Sequence, residues 1–92
     1  MFVIPPKPEP QVWDAIVNVV GLNVYKYPVV TGAALTGFKV NSWDVFSGRL
    51  WSGNNYTWML IDESARPEIV NCWVAVCKES GEKFVSVVKK EI

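Results

Sequence analysis

Apolar and polar positions alternate most clearly near the C-terminal end of the chain. Ile69 to Glu91 reads IVNCWVAVCKESGEKFVSVVKKE, two apolar runs joined at Glu79-Ser80-Gly81-Glu82. Val, Phe and Trp suit a pleated surface, and Gly81 can take a positive φ without steric cost, so the stretch predicts an antiparallel hairpin. With Ser80-Gly81 as a two-residue loop, Cys77 faces Phe84, Val76 faces Val85, Val74 faces Val87 and Trp73 faces Val88. One face then carries Cys72, Val74, Val76, Val85 and Val87, a core face. The other carries Trp73, Ala75, Cys77, Phe84, Ser86 and Val88, which is too apolar to be left to water and needs a cover of its own. The same register sets Glu79 against Glu82 and Lys78 against Lys83. Like charges directly opposite are unfavourable, which argues for a longer turn.

Upstream, Trp13, Ile16, Val17 and Val20 recur at helical spacing, with Gln11, Asp14 and Asn18 as a polar stripe. Pro10 suits a first helical turn and Gly21 a residue just past the end, so the pattern predicts an amphipathic helix over about residues 10 to 20. Leu22 to Val30 is β-prone, and Pro28 pushes it towards an edge. Thr31 to Gly37 predicts a bend or a single helical turn. Phe38 to Phe46, Arg49 to Ser52 and Tyr56 to Asp62 form short β-prone runs, separated at Ser47-Gly48 and at Ser52-Gly53-Asn54-Asn55, the pattern of a meander. Alternation places Tyr56, Trp58 and Leu60 on one face and Thr57, Met59 and Ile61 on the other. The expected architecture is α+β: one N-terminal amphipathic helix packed on an antiparallel sheet of about four to six strands, curling towards a small barrel. Residues 1–9, with Pro5, Pro6 and Pro8, form an extended arm, and residues 10–92 a single domain.

Composition narrows the function classes. The 92 residues carry 9 cationic and 9 acidic side chains, so the net charge is zero. Such a chain lacks the basic excess of a nucleic-acid binder and the self-repulsion that opposes association. Neither a signal sequence nor a membrane span is expected, which makes the cytoplasm, of a cell or of an infected host, the default compartment. Cys72 and Cys77 on one strand are about 16 Å apart and point to opposite faces, so they do not bridge each other. No metal or other cofactor is expected, because two cysteines without a histidine fall short of a zinc site.

The absence of histidine removes the commonest general base. Asp62 and Glu63 are adjacent and therefore point apart, unlike the paired carboxylates of a glycosidase. Gly32 to Gly37 lacks the lysine of a phosphate-binding loop, with Phe38 in its place. Asn55-Tyr56-Thr57 matches a glycosylation acceptor without a secretory context. The compositional oddity is five tryptophans. Trp43, Arg49, Trp51 and Tyr56 in the Gly- and Ser-rich middle suit packing under a loop, a protein contact, where Trp, Tyr and Arg concentrate, or a sugar platform, in that order. With Trp73, Phe84 and Val88 of the second hairpin face, they are the candidate binding residues. The expected function is non-catalytic protein binding or assembly, to a partner protein or a like subunit, in the manner of a small viral or phage accessory protein, an inhibitor or a virion component. The alternative is a carbohydrate-binding module using the loop tryptophans.

Overall fold

The computed structural model describes residues 7–90; Met1 to Pro6 of the expected arm lie outside them. Seven strands follow in chain order: β1 (Val12–Val17), β2 (Leu22–Tyr25), β3 (Leu35–Val40), β4 (Val45–Gly53), β5 (Tyr56–Ser64), β6 (Trp73–Lys78) and β7 (Val85–Lys89), with single 3-10 turns at Gly32–Ala34 and Pro67–Ile69. They form one antiparallel sheet in the order β3-β2-β6-β5-β4-β1-β7. No helix among the described residues is long and apolar enough to cross a membrane.

The architecture is therefore all-β rather than α+β, and its seven strands exceed the four to six expected. The predicted N-terminal helix is strand β1, paired with β4 on one side and β7 on the other. Its apolar positions fit both periods: Ala15 and Val17 alternate into the core, with Trp13 half-buried against it. What decides is that Val12, Ile16 and Val17 are β-branched, stiff at χ1 and suited to a pleat, and that two neighbouring strands satisfy the backbone on both edges. Two smaller expectations change for related reasons. Strand β2 is internal, because Pro28 falls beyond its end. Ser47-Gly48 is no turn but lies within β4 at a bulge, where a Cβ on Gly48 would collide with the Leu60 carbonyl oxygen.

The C-terminal hairpin forms with its register shifted by one residue. Cys77 bridges Lys83, Lys78 N–H donates to the Glu82 carbonyl at 2.7 Å, and Phe84 N–H donates to Val76 at 2.8 Å. Glu79-Ser80-Gly81 is the loop, with Gly81 at φ 108°. The slip replaces two like-charge pairs by a Lys78–Glu82 ion pair of 3.2 Å. Beyond Phe84 the strands part. Strand β7 follows β1, while the start of β6 takes β2 as its neighbour, Tyr25 opposite Trp73. Strands β1, β4, β5, β6 and β7 thus curl into a nearly closed ring, and β2 and β3 leave it along the other half of the β6 edge.

Two cores result. Ala15, Val17, Phe46, Met59, Ile61, Val74, Val76 and Val85 fill the inside of the ring, joined by Val24, Val40 and Ile69. Trp58, Trp73 and Ala75 on the reverse face of β5 and β6 pack against Tyr25 and Ala34, with Val29, Trp51, Tyr56 and Leu60 at the margin. The β6 half of the second hairpin face finds its cover within the chain, while Ser86 and Val88 on β7 stay exposed. Trp73 is only 2% exposed and meets Trp51 edge-on at 6.3 Å.

Candidate functional site

At one end of the ring, the β1–β2 and β3–β4 connections are tied together. Gly21 N–H donates to Asn41 Oδ1 at 2.7 Å, and Asn41 N–H donates to Asp44 Oδ2 at 2.7 Å. Trp43 N–H donates to the Val17 carbonyl, and Val17 N–H to the Asp44 carbonyl, each at 3.0 Å. From the β5–β6 connection, Arg66 Nη1 stands 3.9 Å from Asp44 and donates to the Lys39 carbonyl at 2.7 Å. These bonds hold Trp43 at φ 77°, in the left-handed region. For a bulky residue that conformation costs about 1–2 kcal/mol. The indole does not recover this by packing, since it is 79% exposed. Val20, 83% exposed, and Val45, 63% exposed, share this end of the molecule.

Beside this knuckle, an open groove of about 490 Å³ runs between the start of β4 and the end of β5, lined by Val45, Ser47, Asp62, Glu63, Ala65 and Pro67 among others. The bulge leaves Asp62 as the extra residue of β5, and Arg49 grips it with two bonds of 2.9 and 3.1 Å. That hydrogen bond pushes the Arg49 pKa up, with desolvation opposing it and the charge of Asp62 adding to it. Glu63 stands 3.6 Å from Lys90. Both carboxylates of the groove are thus engaged by cations. Asp44 lies apart at the knuckle. Among the described residues, no three His, Cys, Asp or Glu side chains gather as a metal site.

The candidates named from sequence fall into separate places. Trp43 is exposed at the knuckle, and Val88, 68% exposed, stands on the outer side of β7. Arg49 is half-buried in its ion pair. Trp51 and Tyr56 are half-buried at the margin of the second core, where the Trp51 ring lies across Gly53. Trp73 is buried, and Phe84 is half-buried between the two cores. The sequence reading missed Val20 and Val45, because their apolar character was assigned to a helix and a strand core. The signal that marks them is tertiary: the turn beside Trp43 fixes their ends of the strands. Cys72 and Cys77 are free, and burial pushes the Cys72 thiol pKa up against the opposing charge of Lys26.

Compared with protein-family models, curated proteins and solved structures, the chain matches none.

Proposed function

We propose that the protein is a non-catalytic protein-binding module that engages a partner protein through the Trp43 knuckle. The observation that carries this reading is a tryptophan kept in a costly backbone conformation and kept out of both cores. Strain of this kind persists where surrounding bonds over-determine it, and an exposed Trp flanked by apolar Val20 and Val45 is the chemistry of an interface anchor. The groove beside it would receive the rim of such a contact. Two free thiols suit a reducing cytoplasm.

The sugar platform gains no support from the geometry. Trp43 stands in the turn before β4 and Trp51 near its far end, with roughly 20 Å of strand between Val45 and Trp51, so they and Tyr56 do not form one surface. Capture of a partner from the native host by immobilised wild type and by Trp43→Ala tests the proposal. The expected result is loss of capture with no loss of thermal stability. Equal capture by both proteins, or a variant that melts several degrees lower, contradicts it.

A further inference from the structure

We infer that β7 pairs edge to edge with β7 of a second copy, making a two-fold symmetric dimer on a surface distinct from the Trp43 knuckle. Lys90 N–H donates to the Val12 carbonyl, and Asn18 N–H to the Phe84 carbonyl. In the same register Ser86 and Val88, opposite Ile16 and Asp14, turn their backbone groups towards β1. Val87 and Lys89 are at the other phase and turn theirs away from it. Strand β7 ends the sheet, and among the described residues no strand or side chain bonds Val87 or Lys89 along that edge.

The occupant follows from register and charge. A two-fold axis at Val88 sets Val87 of each copy against Lys89 of the other as a hydrogen-bonded pair, using only groups that the fold leaves open. It places the exposed Val88 side chains directly opposite one another, Lys90 opposite Ser86, and no like charges together. Moving the axis to Lys89 would oppose two lysines. Moving it to Val87 would require the edge of Val85, which is 1% exposed beside the bridge to β6. One register therefore satisfies the backbone, buries the apolar side chain and avoids repulsion, and the zero net charge leaves no overall force against it.

Light scattering across a concentration series, on the full chain, tests the inference with two charge variants. Wild type is expected to move from monomer to dimer mass as concentration rises. Val88→Lys and Val88→Glu, each at an exposed position, should weaken association at least about tenfold, through repulsion and lost apolar burial. An equimolar mixture of the two should recover the dimer, because Lys then faces Glu. Trp43→Ala should dimerise as wild type does. A wild type that stays monomeric up to about 1 mM overturns the inference. So does a Val88→Lys protein that associates normally, a mixture that fails to recover the dimer, or a dimer lost on Phe38→Lys instead.

Discussion

The two ends of the sheet are built differently. Strand β3, at one end, is interrupted by Gly37 at φ 90°, and its Lys39 carbonyl is occupied by Arg66. Strand β7, at the other, is regular through Val85–Lys89, with Val87 and Lys89 turned outward and Val88 exposed. Kinks, charges and side-chain caps are how edge strands avoid unwanted pairing. The same chain uses a kink and a side-chain cap at β3, although Leu35 and Phe38 expose apolar surface there; β7 has neither, and its one charge, Lys89, stands at the last position of the strand. The contrast teaches that an edge is defined by its open backbone groups more than by its hydrophobicity, and it separates a closed end from one available to a partner.

The difference between the two ends is lost most severely if the layer supporting β2 and β3 is removed. Trp73→Ala empties a buried indole site between β6, Tyr25 and Trp51, and should cost about 3–5 kcal/mol by chemical denaturation. Hydrogen exchange should then accelerate in β2 and β3 before β7. A smaller change removes the guard alone. Arg66→Ala deletes the bond to Lys39 and the contact with Asp44; with a side chain 36% exposed, the loss should be about 1 kcal/mol. Its signature is faster exchange at the end of β3, with β7 unchanged.

Trp43→Gly should act in the opposite direction. It relieves a left-handed backbone at an exposed site and should raise stability by up to about 1 kcal/mol, read as a higher denaturation midpoint. A lower midpoint would mean that the indole supports the fold and would weaken the case for a binding role. The smallest effect concerns Cys72. Burial raises its pKa in the folded state, so its contribution to stability is present below the unfolded value and fades as pH rises through the folded one. Alkylation at mildly alkaline pH should be slower in the folded protein than in denaturant, and Trp73→Ala should shorten that difference.

Much of the sheet was legible in local patterns. Alternation in β5 places Trp58 on one core and Met59 and Ile61 on the other, and two-sided apolar runs in β6 demanded two covers. The like-charge pairs of the two-residue loop pointed to a longer turn, and the loop is longer by one residue, but the register slip that comes with it was not legible there. The rest was lost for physical reasons. In β1, helical and strand periods coincide over six residues, so only the excess of β-branched side chains separated them. Ser47-Gly48 has the composition of a turn but serves close backbone approach at a bulge. The cover of Trp73 comes from Tyr25, Ala34 and Trp51, distant in sequence, and the left-handed Trp43 depends on bonds from Val17, Asn41 and Asp44 together. No local pattern encodes either one.

Hydrogen exchange at two or more protein concentrations distinguishes an open β7 edge from a closed β3 edge. The amides of Val87 and Lys89 should slow as concentration rises, while those of β3 keep one rate throughout. Concentration-dependent protection in β3, or none at Val87 and Lys89 while the protein is dimeric, would contradict the account.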